Sequence, residues 1–165
     1  MKSIWRSSVR LPQFPPLEGT VSTDVLVIGG GMAGLLCAYQ LQQAGISCIV
    51  AERKTIAGGV TGDTTAKLTS QHGLIYSRLA KHSGLETARL YLQANEDALS
   101  AYRVLCEQIP CDFVEQDHIV YSRKGVQALE DELSVLSQLG FPAELVRKLS
   151  LPFPTAGGVR FPGQA

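Results

Sequence analysis

The sequence has no cysteine framework. Its 165 residues hold only four cysteines, too few for the disulfide scaffold of a small secreted domain. Cys37, Cys48, Cys106 and Cys111 form no C-x-x-C pair, so neither a zinc ribbon nor a thioredoxin-type site is indicated, and no metal is expected. They read as reduced, mostly buried thiols of a cytoplasmic protein. A surplus of one charge is lacking too, since 15 Lys plus Arg balance 15 Asp plus Glu. A general nucleic-acid binder needs a basic surplus, so no nucleic-acid partner is expected. Charged residues make up 18% of the chain against 45% hydrophobic, a globular profile that excludes a disordered chain. There is no internal repeat.

Long apolar runs are also scarce. Met1 to Leu11 carry Lys2, Arg6 and Arg10 and no apolar stretch, which predicts no secretory signal peptide. From Val25 to Ala51 there is no charged residue, a length that could span a bilayer. Gly29, Gly30 and Gly31 break that run near its start, and Gln40, Gln42 and Gln43 sit inside it. A buried strand, helix, strand unit accounts for the pattern, and no membrane insertion is expected.

What is present divides along the chain. Residues 1–22 read as an irregular arm: Pro12, Pro15 and Pro16 prevent helix, and Trp5 and Phe14 are apolar residues able to pin it. Asp24 to Ile28 reads as a fully buried strand. Met32 to Ala44 reads as a helix with Leu35, Ala38 and Leu41 inward, Gln40 and Gln43 outward, and Gln42 near the inward face. Gly45 supplies its left-handed stop, and Ser47 to Ala51 is a second strand, parallel to the first. Residues 53–73, rich in Gly and Thr, form a long loop of the kind that carries function. Helices are expected at Leu74–His82, Glu86–Ile109 and Lys124–Leu139. Cys111–Val114 and Ile119–Ser122 are expected to pair as a hairpin around Gln116 and Asp117. Ala143–Lys148 and Gly158–Phe161 read as weak strands.

The strongest signal is Gly29-Gly30-Gly31-Met32-Ala33-Gly34, which contains G-x-G-x-x-G. Gly29 allows a tight turn off the strand, Gly31 lets the backbone approach a pyrophosphate, and Gly34 lets the helix pack close to the strand. The amides at the helix start then hold phosphate charge. A second apolar strand follows and leads into Glu52, about 20 residues on, where a carboxylate accepts from ribose hydroxyls. Such a residue favours NAD or the adenosine of FAD over a 2′-phosphate. Arg53 and Lys54 could meet a phosphate or simply form a solvated turn.

These residues resemble a family. D-V-L-V-I-G-G-G-M-A-G-L-L, from Asp24 to Leu36, closing at Ala51-Glu52-Arg53, is similar to the N-terminal FAD-binding unit of the D-amino-acid oxidase and glycine oxidase superfamily. The loop G-G-V-T-G-D-T-T-A-K-L-T-S-Q-H-G, from Gly58 to Gly73, resembles the segment of those flavoproteins that runs under the flavin, and it is narrower in distribution than the glycine motif. With the Trp5 arm and Cys111-Asp112-Phe113, it looks most like a bacterial subgroup whose members often carry a C-terminal Rieske iron–sulfur domain.

The resemblance implies an α/β fold. A Rossmann-like, incomplete FAD-binding βαβ unit is followed by helices and the start of a mixed α+β substrate domain. The expected divisions are an arm at 1–22, the first part of the FAD domain at 23–82, and a helical segment with the start of the substrate domain at 83–165. Enzymes of the superfamily are much longer, so the chain reads as an N-terminal portion. The implied cofactor is FAD, held by Gly29, Gly30, Gly31, Met32, Ala33, Gly34, Glu52, Arg53, Thr61, Thr64 and Thr65. The threonines could equally serve local loop capping. Lys67 could stand near the flavin edge or at the surface. His72 has a general-base pKa range but reads as a packed or capping residue, and His82 and His118 read as surface residues. No residue is assigned a catalytic role. The implied reaction is hydride transfer from an amine or amino acid to flavin. The alternatives are a nucleotide-binding piece without turnover and an NAD-dependent dehydrogenase; the long 58–73 loop counts against the latter.

Overall fold

The computed structural model describes residues 9–165. Trp5 lies outside the described residues. The chain forms two compact units that divide between Ala66 and Lys67.

In the first unit, strand β1 (Val25–Ile28) is followed by helix α1 (Met32–Gln43) and strand β2 (Cys48–Ala51). The two strands pair in parallel, Val25 with Cys48 through Ile28 with Ala51. The elements lie within a residue of expectation at each end. The glycines fix the start, and Gly45 with φ 73° follows the helix, a conformation that L side chains resist. Ile46 N–H donating to Leu41 carbonyl and Gly45 N–H to Gln42 carbonyl close the helix end.

One expectation for this unit is corrected. β1 is not buried on both faces: Leu26 is 55% and Ile28 85% exposed. Alternation along the strand turns Val25 and Val27 to one face and Leu26 and Ile28 to the other, and Val27 is the side chain that meets the helix at Gly34. Gln42 is exposed, like Gln40 and Gln43, but it lines one groove with Leu35 and Ala38, on the face expected of it.

The second unit holds α2 (Ile75–Ser83), α3 (Leu85–Glu107), β3 (Gln116–Ser122), α4 (Gln127–Gln138), β4 (Glu144–Val146) and β5 (Gly157–Gln164). Gly84 at φ 88° separates α2 from α3. Tyr76, Ala88, Leu92, Leu129, Leu136, Leu139, Val159 and Phe161 form its core. The buried positions of α3, Ala88, Leu92 and Leu99, fall at helical spacing.

The expected hairpin is not formed. β3 pairs antiparallel with β5, and β5 lies between β3 and β4. Residues 111–115 form no strand; Asp112, at φ 52°, turns the chain out of extended geometry. The segment read as a weak strand is therefore the centre of the sheet. Glycine explains how: a Cβ on Gly158 would stand 2.7 Å from Ile119 Cγ2 and 3.0 Å from Val120 carbonyl. Pro162 sits where the register shifts between Gln116 and His118, because proline has no N–H for a ladder bond.

Buried polar groups tie the unit together. Glu132 of α4 is fully buried, and its carboxylate accepts from the Tyr76 amide (2.9 Å) and the Ser77 amide (2.7 Å). It thus caps α2, whose own N-cap residue, Leu74, offers no side-chain acceptor. Gln164 accepts from the Ser70 amide at 2.7 Å, and Leu68 and Ala165 exchange two backbone bonds. The Tyr76 hydroxyl donates to Ser70 carbonyl. Burial, with neighbouring Tyr91 and Glu96, pushes the Tyr76 phenol up.

Candidate functional site

The site is built on the turn between β1 and α1. Gly29 has φ 107°, which only glycine adopts without strain. A Cβ on Gly34 would stand 1.9 Å from Gly29 carbonyl oxygen and 3.3 Å from Val27 Cγ1, so the helix sits directly against the turn. A Cβ on Gly30 would meet Glu52 Cβ and Ile56 Cγ2, each at 3.0 Å. Gly31, at φ −82°, is the N-cap of α1 and supplies no side-chain acceptor.

The first turn of α1 is therefore rich in donors. Thr61, at the far end of the loop, accepts from the Met32 amide at 3.0 Å. Among the described residues, no protein acceptor takes the amides of Ala33 or Gly34. No acidic side chain stands in this turn, so the positive end of the helix dipole is not neutralised there. Thr61→Val is expected to leave the Met32 amide without its partner and to cost about 0.5–2 kcal/mol, the usual size of a lost helix cap; urea titration followed by circular dichroism measures it.

Glu52 closes the other side. Its Oε2 accepts from the Gly30 amide at 2.9 Å and its Oε1 from the Lys54 amide at 2.8 Å. The Gly30 and Lys54 amides, in that order, hold its carboxyl below the usual carboxylate value. A carboxylate offers about four acceptor positions, so lone pairs remain for further donors such as ribose hydroxyls. Gly30, Gly31, Glu52, Arg53, Thr55 and Thr61 line one open groove of about 650 Å³.

The remaining residues singled out from the sequence fall as follows. Arg53 is exposed and lines the groove. Thr64 is half-buried and its hydroxyl accepts from the Ala66 amide at 3.2 Å, a local turn bond, while Thr65 is exposed. In the second unit Lys67 is exposed, and His72 Nδ1 lies 3.0 Å from the Tyr91 hydroxyl. His118 is not a surface residue. It is half-buried, 3.4 Å from the Thr69 hydroxyl. Desolvation, then the charges of Lys67 and His72, lower its pKa. Thr69 also accepts from the Gln71 amide at 3.0 Å, so part of the distinctive loop wording serves the loop's own turn. Among the described residues, no cluster of three His, Cys, Asp or Glu could hold a metal ion, and no helix is long and apolar enough to cross a membrane.

A parallel strand–helix–strand unit, a glycine turn with open amides and a carboxylate after the second strand together define a dinucleotide-binding protein of the Rossmann type. The chain belongs to the FAD-dependent oxidoreductase (DAO) family, whose model matches residues 24–165. It is 36% identical over 155 residues to the Bacillus subtilis protein named "Putative Rieske 2Fe-2S iron-sulfur protein YhfW", covering 92% of this chain and 30% of that one. It is 28% identical over 109 residues to gamma-glutamylputrescine oxidoreductase of Escherichia coli, covering 65% of this chain and 26% of that one. It is 27% identical over 151 residues to an anaerobic glycerol-3-phosphate dehydrogenase component from Haemophilus influenzae, covering 81% and 25%. The chain thus spans less than a third of the length of these relatives. The family's cofactor is FAD, and the donor set at the turn fits its diphosphate: two open amides at a helix start, with a carboxylate for the ribose.

Proposed function

We propose that this chain forms the dinucleotide-holding part of a flavoenzyme that oxidises an amine or amino acid. The observation that carries the proposal is the pairing of the open amides of Ala33 and Gly34 with the Glu52 carboxylate, both fixed by the Gly30 turn. Gly31, Met32, Ala33 and Gly34 would face the diphosphate, Glu52 the adenosine ribose, and Arg53, Thr61, Thr64 and Thr65 the length of the cofactor. Residues 23–82 would serve the cofactor and 83–165 would begin the substrate region.

Bound FAD supplies a two-electron acceptor for the carbon next to the substrate nitrogen. The protein residues bind and orient. The α1 amides and the helix dipole neutralise phosphate charge, and Thr61 holds the turn's shape through the Met32 amide. The Gly30 and Lys54 amides keep Glu52 ionised and aimed. Support for an amine substrate comes from gamma-glutamylputrescine oxidoreductase and pseudooxynicotine dehydrogenase among the relatives. The name of the Bacillus relative supports a Rieske iron–sulfur partner in the whole protein.

The test is the visible spectrum of the purified chain after FAD addition and desalting. A retained flavin band is the expected result, and Glu52→Ala is expected to weaken retention roughly ten- to a hundredfold, the range for hydrogen bonds to a charged group. The pH dependence has a definite sign. Because the folded carboxyl lies below its ordinary value, its contribution is present above the ordinary carboxylate range and is lost as pH falls through the folded value. Equal FAD retention by both proteins across that range would remove Glu52 from the site.

A further inference from the structure

The four thiols are not the mostly buried set expected from sequence: Cys37 and Cys111 are exposed, and Cys48 and Cys106 are half-buried. Two of them meet. Cys106 lies in the last turn of α3, and Cys111 follows just beyond the helix. The chain between them leaves the helix through short-range bonds. Gln108 N–H donates to Leu105 carbonyl at 3.1 Å and Ile109 N–H to Cys106 carbonyl at 3.4 Å. Pro110 cannot continue the helix, and Asp112 follows in the left-handed region at φ 52°. Cys111 is the side chain beside the Cys106 thiol that, after desolvation, raises it. They share the wall of an open groove of about 710 Å³ with Arg103, Asp112 and Glu115. Nearby, Arg103 pairs with Glu115 and donates to Gly163 carbonyl, which ties α3 to the end of β5.

This geometry suits no metal, since among the described residues no group of three ligands gathers here. It does suit oxidation, because two neighbouring thiols on one groove wall can be joined by a disulfide. We propose that Cys106 and Cys111 form a reversible intramolecular disulfide on meeting a low-molecular-weight disulfide such as oxidised glutathione. Exposed Cys111 releases its proton and attacks one sulfur of the reagent. The reagent's S–S bond breaks, and one small thiolate departs with the electron pair and is protonated. Cys106 then releases its proton and attacks Cys111 Sγ, and the second small thiol departs. Two cysteines are oxidised by two electrons in all, and one small disulfide is reduced to two thiols. The order follows from burial: desolvation, with the Cys111 contact, raises the Cys106 thiol and makes it the slower first attacker. The product is a closed loop at the end of α3, beside the Arg103 tie.

The test uses the whole chain equilibrated in a glutathione redox buffer, quenched with acid, alkylated and mapped by peptide mass. Cys106 and Cys111 are expected to lose their thiols together, joined and carrying no glutathione. Cys37 serves as the internal control and is expected to retain glutathione as a mixed disulfide. Cys106→Ser is expected to stall the reaction with glutathione on Cys111, reversible by dithiothreitol. Cys111→Ser, the exposed and less disruptive change, is expected to leave Cys106 unmodified. Three results would overturn the proposal: glutathione retained on Cys111 in the unsubstituted chain, Cys106 joined to another cysteine or a second chain, or both thiols still alkylated where Cys37 is already modified.

Discussion

Gly34→Ala is expected to destabilise the first unit severely, by about 3 kcal/mol or more, the upper end of the range for forced overpacking. The added methyl would stand 1.9 Å from Gly29 carbonyl oxygen, where no contact of that kind can exist. The obstacle is backbone, so a rotamer change cannot relieve it. Either α1 moves off β1 or the Gly29 turn opens, and both displace the amides proposed to meet diphosphate. Gly31→Ala provides the contrast. There the nearest atom to an added Cβ is Thr61 Oγ1 at 3.4 Å and φ is −82°, so the fold should survive. Urea unfolding and FAD retention, measured on both variants, separate the roles. Gly34→Ala should lose both properties, whereas Gly31→Ala should keep its stability and lose retention. A Gly34→Ala protein within about 0.5 kcal/mol of the parent, the scatter of surface substitutions, would contradict the close packing of helix and turn.

The second large effect is expected at Glu132. Substitution by alanine strips two acceptors from a fully buried site and leaves the Tyr76 and Ser77 amides facing a void. Each buried, unsatisfied donor costs about 1–3 kcal/mol, so a loss of roughly 2–6 kcal/mol is expected for the pair. Glutamine keeps one acceptor oxygen and turns an NH2 group toward the other amide, so it should recover only part of the loss. Hydrogen exchange at Tyr76 and Ser77 reads the cap directly and should accelerate before the rest of α2. If alanine and glutamine both unfold at the parent's urea concentration, the carboxylate is not the cap of this helix.

Local signals made the first unit legible. An apolar run, three glycines, a helical period and a second apolar run each act over a few residues, and β1, α1 and β2 follow them closely. The distance to Glu52 was legible for the same reason. Thr61 was legible as a hydrogen-bonding residue, although the helix amide it meets, 29 positions away, was not. The second unit shows where local reading fails. β5 looked weak because glycines and Pro162 dilute its β-character, yet those glycines admit its neighbours. Cys111–Val114 looked like the partner of β3 because it was near in sequence, while the partner chosen lies some 40 positions on. Glu132 stands beside Glu130 and Asp131, and nothing local marks it out from them. Only the placement of α2 over it turns that residue inward. Likewise, nothing in the spacing of His118 announces Thr69 beside it.

The position of β5 in the chain has a kinetic consequence. β3 and β4 contact β5 and not each other, and Ser70 and Leu68 find their partners at Gln164 and Ala165. During synthesis, β3 and the 68–70 segment emerge long before the strand that joins them, whereas β4 directly precedes it. β4 and β5 can pair first across the short 147–156 connection, but β3 has no neighbour in sequence to pair with. The pairing of β3 and of the 68–70 segment must wait for β5 and closes two long loops. Until then, the helices can associate while the strands still expose unpaired edges. That interval is when a nascent chain would be most open to chaperone capture or aggregation.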